Sequence, residues 1–371
     1  QLHTMLEENR RFADELTQVI RTSNQLAMAA TVDELCRQAV SAARDHLGFE
    51  RVSIWMLDED RAWLRGMFGT DEAGAIRDER GLRHRWAGHE ILEHLMADPM
   101  TLVVTISQSG ETADTLMAIR HAREQGAKVI AICNTNGATI PRESDAVIYT
   151  HAGPEIGVAS TKGFTTQLVA CYLLGLYLAQ VRGMKYGDEI AALLAELERM
   201  PDAIQGMLDN QQQVLDLARE FVNEPSVLFL GRHVGYPVAL EGALKLKELA
   251  YIHAEGFAAG ELKHGPIALI REGLPVFVVV PPRGRDQLRD KVVSNIQEVR
   301  ARGALTIVLA EEGDTEVEPY ADVLFRLPKV STLLQPLVAT APLQMFACEL
   351  ATLLGYDVDQ PRNLAKSVTV E

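Results

Sequence analysis

The chain has 371 residues, 47% of them hydrophobic and 23% charged, with a formal charge of −15. That length supports two or three domains with sizeable cores, and the acidic balance, with no basic run, excludes a large nucleic-acid surface. The longest apolar stretch, Leu168–Leu178, reads as too short to span a bilayer, and no signal peptide is visible. Cys36, Cys133, Cys171 and Cys348 lie far apart in apolar runs, with no CxxC or Cys/His ligand spacing. They read as reduced core thiols of a cytoplasmic protein, and no catalytic cysteine, metal or redox cofactor is signalled.

Residues 3–48 carry a helical pattern. Within it Thr31-Val32-Asp33-Glu34 has the form of a capping box, with Leu35, Ala39, Ala42 and Ala43 on one face. Arg51–Leu57 alternates like a strand, Asp58-Glu59-Asp60 marks a turn, and Ala62–Phe68 is the predicted hairpin partner. Residues 70–86 are charged and read as a loop. From residue 100 strands and helices alternate, which implies a parallel sheet covered on both faces. Strands are predicted at 101–106, 128–133 and 145–150, then a long apolar helix at 157–183. An acidic helical connector, broken at Pro201, covers 188–221. A second series follows, with strands at 226–231, 274–281, 304–310 and 322–327 and a long helix at 332–355. The strands at 101, 128 and 145 match those at 274, 304 and 322 in order and spacing, so the α/β unit is duplicated. The second copy opens with an extra strand at 226–231 and helix at 236–252, for which the first copy has no counterpart.

Several stretches carry chemistry. After the strand at 101–106 comes a polar turn, Ser107-Gln108-Ser109-Gly110-Glu111, and a helix starting near Thr112. Unpaired N–H groups at a helix start, hydroxyl donors and a glycine that lets the backbone approach make an anion site. The same residues also suit an ordinary N-cap. No nucleotide-binding glycine pattern is present. Glu241, Lys245 and Glu248 stand at i, i+4 and i+7, so three ionisable groups share one helical face. Such a stripe is commonly a solvated ladder, but here it is flanked by Ala and Leu. The loop Glu255–Pro266 carries Glu261, Lys263 and His264 among glycines, and the tail Asp359–Glu371 holds a single lysine, Lys366.

Two resemblances organise these observations. LGFERVSIWMLDED and LRGMFGTDEAG, within 30–86, resemble the first half of a GAF domain, a small-ligand sensory module; its later strands and closing helix are missing. ISQSGETADT, GPEIGVASTKGFTTQL, EGALKLKELAYIHAEGFAAGELKHGP and PRNLAKSVTVE closely resemble the isomerase portion of the glucosamine-6-phosphate synthase family, the glutamine–fructose-6-phosphate aminotransferases (isomerizing). This second resemblance spans 100–371 and implies an α/β fold of tandem SIS (sugar isomerase) domains. These are flavodoxin-like three-layer αβα sandwiches, the first lacking its opening strand and helix. The organisation read from the sequence is a helical and partial α+β GAF-like segment at 1–98, a truncated first SIS domain at 99–187 and a helical connector at 188–221. A second SIS domain at 222–358 and a catalytic tail at 359–371 complete it.

By resemblance, Ser107, Gln108, Ser109 and Thr112 hold the sugar phosphate, and Val158, Ser160 and Ala365 line the sugar. Glu248 is the base that moves a proton between C1 and C2, and Lys245 assists proton traffic. His264 opens the sugar ring from a neighbouring subunit of a homodimer. Lys366 forms a Schiff base with C2 of fructose 6-phosphate. Such an imine acidifies the C1 protons, and a phosphate anchor supplies binding energy remote from the reacting carbons. The expected product is glucosamine 6-phosphate with free ammonia as nitrogen donor, because nothing here resembles the family's glutaminase domain. The family's cofactor requirement is none. A non-catalytic sugar-phosphate-binding regulatory module is the alternative: it needs the 107–112 loop but has no use for Glu248 or Lys366.

Overall fold

The structure, a computed structural model, describes residues 29, 31–47, 51–57, 63–71, 73–85, 101–283 and 288–366. The first part of the helix predicted at 3–48, the turn at 58–60 and the end of the tail lie outside the described residues. Contacts divide the chain into two units, residues 1–101 with 176–190, and 102–175 with 191–371.

In the first unit, α1 (Val32–Leu47) opens with the Thr31 hydroxyl accepting the Glu34 N–H at 3.1 Å. It covers an antiparallel sheet in which β2 (Trp63–Thr70) pairs with β1 (Ser53–Leu57), β3 (Ile76–Asp78) and β4 (Arg83–Arg85). The two short strands correct the reading of 70–86 as a loop. Their pairing is carried by backbone groups, and Ile76, which packs on the small core, is the one apolar residue of the two strands, which leaves no apolar alternation to read. Cys36, Val40, Met67 and Phe68 form the small core. Residues 176–190 belong to this unit: Arg51 forks onto Glu189 at 2.6 and 2.7 Å, and the guanidiniums of Arg51 and Arg77 lie 4.9 and 4.0 Å from the ring centre of Tyr186.

The second unit holds two parallel sheets. The first runs β5 (Leu102–Ser107), β6 (Lys128–Cys133), β7 (Ala146–Tyr149), with α2 (Ala113–Glu124) and α3 (Thr139–Glu143) over a core of Ile119, Val129, Ala131 and Ile140. α4 (Lys162–Val181) leads to a connector that is three helices, α5 (Gly187–Leu197), α6 (Met200–Leu208) and α7 (Gln211–Glu220). Pro201 sits in the first turn of α6, where its missing N–H has no helical partner to lose. Then come β8 (Ser226–Gly231), α8 (Gly235–Ala250), β9 (His253–Ala258), two 3-10 turns (Ala259–His264 and Pro266–Leu269), β10 (Pro275–Val279), α9 (Leu288–Arg300), β11 (Leu305–Glu311), β12 (Val323–Leu327) and α10 (Gln335–Leu353). The second sheet has the order β12-β11-β10-β8-β9, all parallel. β9 corrects the reading of 255–266 as loop throughout. Gly256 is small by necessity there, since a Cβ on it would lie 2.9 Å from the Leu240 side chain of α8.

The duplication is visible in side chains as well as topology. Asp145 Oδ2 accepts the Val129 N–H at 2.9 Å in the first domain, and Asp322 Oδ2 accepts the Thr306 N–H at 2.8 Å in the second. Leu102 pairs with Lys128 as Pro275 pairs with Leu305, which makes Val104 and Ile106 the counterparts of Phe277 and Val279. The second pair is 1% and 0% exposed, the first 40% and 46%. Strand pairing among the described residues accounts for the contrast. β10 is flanked by β11 and β8, whereas β5 pairs with β6 alone among the described residues. α4 shows the same contrast: α10 packs against α8 and is largely buried, whereas among the described residues α4 is mostly uncovered. α4 also revises the reading of Leu168–Leu178 as too short for a bilayer. The helix around that stretch runs 20 residues, and both it and α10 are long and apolar enough to cross one by length and composition.

Candidate functional site

The polar turn after β5 is built as the sequence implies. Gly110 adopts φ 72°, and its N–H donates to the Ser107 hydroxyl at 3.0 Å. The Ser107 and Thr112 hydroxyls lie 3.4 Å apart, and the Glu111 N–H donates to Ser109 Oγ at 3.3 Å. The Gln108 carbonyl accepts from the Thr135 hydroxyl at 3.2 Å, which ties the turn to the loop after β6. Thr112 is extended and its hydroxyl does not cap α2, so the N-terminal N–H groups of that helix keep no side-chain acceptor from the cap residue. The arrangement suits an anion at the C-terminal end of a parallel strand. In the second domain the equivalent run is Val280-Pro281-Pro282, with no hydroxyl at all.

A second cluster forms where the tail meets the loop after β7. Lys366 Nζ donates to the Gly157 carbonyl at 2.5 Å and to Glu155 Oε2 at 3.1 Å. Ser160 Oγ donates to the same Glu155 oxygen at 3.3 Å, while Glu155 Oε1 accepts the N–H groups of Thr161 and Gly163 at 2.9 and 3.0 Å. Burial works to raise the Glu155 pKa, but those N–H groups and Lys366 outweigh it and hold the carboxyl below its ordinary range. The Val158 N–H donates to the Asp359 carbonyl at 2.9 Å. Lys366, Val158 and Ser160 are therefore brought together, with Ala365 exposed beside them.

The third cluster lies on α8. Lys245 Nζ donates to Glu248 Oε2 at 2.5 Å and stands 3.7 Å from Glu241 Oε1. The side chains of Glu241 and Lys245 are 6% and 3% exposed and that of Glu248 21%, so this stripe is no solvated ladder. Gln344 of α10 donates to Glu241 at 3.3 Å. The tail links this helix to the second cluster. Tyr251 caps α8 in a left-handed conformation, φ 56°, and its hydroxyl accepts the Arg362 N–H at 2.7 Å while the Arg362 guanidinium lies 4.2 Å from its ring centre. Lys366 is four residues beyond that anchor, and Glu248 is three residues before it. His264 is exposed at the end of the first 3-10 turn and joins none of the three clusters.

Sequence reasoning assigned no role to Glu155, Asp359, Tyr251 or Arg362. Glu155 stood within a quoted motif, but a carboxylate whose partner is 211 positions away gives no local signal. Tyr251 at a helix end looks like any aromatic until its positive φ is seen.

The SIS domain family profile matches residues 87–177 and 220–354, and the chain belongs to that family. Among curated proteins, it is 73% identical over 275 residues to a glutamine–fructose-6-phosphate aminotransferase [isomerizing] of Streptomyces coelicolor, covering 74% of this chain and 45% of that protein. The same-named protein of Mycobacterium tuberculosis is 68% identical, with 74% and 44% covered. The C-terminal domain of glucosamine-fructose-6-phosphate aminotransferase from Francisella tularensis superposes with a TM-score of 0.66 at 41% identity, covering 71% of this chain and 75% of that one. The chain carries the isomerase portion of the glutamine–fructose-6-phosphate aminotransferase family. It spans just under half the length of the curated relatives it matches.

Proposed function

We propose that the chain isomerises fructose 6-phosphate and, with free ammonia, aminates it toward glucosamine 6-phosphate. The observation that carries this reading is the tail. It is anchored on Tyr251 at the end of α8, next to Glu248, and delivers Lys366 to the 155–160 loop. A purely binding module gains nothing from that bridge.

In this reading the phosphate rests against Ser107, Gln108, Ser109, Thr112 and the start of α2, which fixes the chain of the sugar by its far end. Val158, Ser160 and Ala365 flank the sugar carbons. The Lys366 amine attacks the C2 carbonyl and water leaves, giving an imine; ammonia then adds at C2 and the Lys366 amine leaves, so the C2 imine carries ammonia's nitrogen and makes the C1 protons removable. Glu248 takes a proton from C1 and returns it at C2, with Lys245 beside it to stabilise the carboxylate and move protons on oxygen. His264 lies away from these groups in one chain, which fits its entry from the neighbouring subunit of a homodimer for ring opening. Lys366 starts in an ion pair with Glu155 and must pass a proton on before it attacks. Glu155 is the carboxylate that Lys366 bonds, at 3.1 Å. No nucleic acid or membrane enters the scheme, and a cytoplasmic setting fits it.

The test is turnover of fructose 6-phosphate with and without ammonium, followed as glucose 6-phosphate and glucosamine 6-phosphate, together with borohydride trapping of the imine. Turnover, with trapping lost in Lys366→Met, is expected. Unchanged turnover in Lys366→Met refutes the role given to that lysine. One observation favours the second reading, a sugar-phosphate-binding module: among the described residues the β5 edge and α4 are uncovered. That reading predicts binding that is lost in Ser109→Ala/Thr112→Ala and no turnover.

A further inference from the structure

We propose that Glu241 is a positioning residue that sets how Lys245 divides its ammonium group between two carboxylates, and so when Glu248 is free to act as a base. This rests on the reading of Glu248 given above. One face of α8 carries two acids and one base, with the lysine in the middle, while Lys247 lies exposed off that face. Lys245 Nζ is 2.5 Å from Glu248 and 3.7 Å from Glu241. Its side chain is nearly inaccessible, so water does not solvate the ammonium and it must be satisfied by these two carboxyls. Gln344 donates to Glu241 from α10, which holds that carboxyl in place behind the lysine and away from the more open Glu248.

Burial pushes the Glu241 carboxyl up to about 7, against the opposing effects of Lys245 and Gln344. Few other groups can take part. Of the elements packed on α8, β8 and β10 contain no ionisable side chain, and on β9 His253 and Glu255 pair with one another at the surface. On α10 the facing group is the neutral Gln344, and Glu349 accepts from Gln211 instead. Cys348, also on α10, has its thiol pushed up by burial and stays neutral through this range. Below the Glu241 pKa its carboxyl is neutral and Lys245 is committed to Glu248. Above it, the Glu241 proton goes to solvent, the new anion draws the ammonium back, and a Glu248 oxygen is released to take the C1 proton.

Glu241→Gln removes this titration while keeping a side chain of the same shape. In fructose 6-phosphate isomerisation, kcat of the unaltered chain is expected to rise through an ionisation near pH 7. In the variant that inflection disappears and kcat on the alkaline side falls by about tenfold, the scale of a group that supports a reacting one, with KM little changed. Gln344→Leu, which takes away a donor that favours the ionised carboxyl, moves the inflection to higher pH and guards against a folding defect in the first variant. An unchanged pH profile in Glu241→Gln overturns the proposal. A readout independent of turnover is NMR of the chain labelled with carboxyl-13C glutamate. One resonance, missing in Glu241→Gln, is expected to titrate near pH 7 and the Glu248 resonance to move with it. A Glu248 resonance indifferent to that step overturns the coupling even if the chain turns over no substrate. Absence of turnover with the coupling intact sinks the base assignment instead.

Discussion

Gly110 and Gly126 flank the same helix, α2, and both have positive φ, 72° and 84°. Alanine at either site meets the left-handed penalty of about 1–2 kcal/mol. Space separates them. A Cβ at Gly126 has nothing within 4 Å, whereas one at Gly110 falls 2.5 Å from Ala138 Cβ and 2.9 Å from Cys133 Sγ. Both neighbours are buried, so neither can swing aside as an exposed side chain would. Forcing such an overlap adds about 1–3 kcal/mol. Gly126→Ala is thus expected to cost ~1–2 kcal/mol and Gly110→Ala about 2–5 kcal/mol. The quantity to measure is native-state hydrogen exchange of the β6 amides, which reports the first domain locally rather than the whole chain. Gly110→Ala also displaces the turn that carries Ser107 and Ser109, so fructose 6-phosphate affinity by calorimetry should drop in that variant and hold in Gly126→Ala. Equal losses of protection at the two sites would refute the packing argument, and equal affinity would refute the placement of the phosphate.

Two further outcomes follow from ion pairs. Glu155→Gln removes the charge facing Lys366, so the tail should loosen and trypsin should cut after the exposed Arg362 several-fold faster at neutral pH; an unchanged rate means the tail is held by other contacts. The depressed Glu155 pKa carries the same expectation in the unaltered chain. The stability it contributes is present above the ordinary glutamate pKa and lost as pH falls through the lowered one, so pepsin should clip the tail only on that acidic side. In the first unit, Arg51→Met strips Glu189 of a bidentate partner in a half-buried site, with side-chain exposures of 22% and 9%, and should cost that unit about 2–3 kcal/mol in urea unfolding followed by tryptophan fluorescence. An effect below the error of the fit would mean that Glu189 is satisfied elsewhere.

The sequence was most legible where period and burial coincide. β10 is apolar at every position because both faces are covered, and α10 is predominantly apolar because most of it is buried. The hydroxyl turn at 107–112 was legible because strand, Ser/Thr cluster and helix start are local in the chain. What stayed hidden was non-local or backbone-driven. β3 and β4 have polar side chains on an edge, and β9 alternates glycine and alanine because α8 lies against it, so neither shows a strand's usual pattern. The Glu241–Lys245–Glu248 stripe was correctly spaced, but spacing cannot say which side of a helix is dry. Only the packing of α10 through Gln344 does.

The duplication also serves as an internal control on the first domain. The same β-strand device, an aspartate bonding back to a backbone N–H, is kept in both copies, as is the register between paired strands. What differs is the strand and helix that open the second copy. In the second domain β8 and α8 cover the residues equivalent to Val104 and Ile106, and α8 also carries Glu241, Lys245 and Glu248. Among the described residues the first domain has no counterpart of β8 and α8, the unit that carries Glu241, Lys245 and Glu248 in the second. The two copies differ in their polar groups: hydroxyls follow β5 in one, and ionisable groups line α8 in the other. The turn at 107–112 is held by β5, β6, α2 and α3, the last through the Ile140 N–H on the Gly110 carbonyl at 2.9 Å and the Thr139 N–H on Glu111 Oε1 at 2.8 Å. Among the described residues what the first domain lacks is cover: Val104 and Ile106 of β5 are exposed where Phe277 and Val279 of β10 are buried.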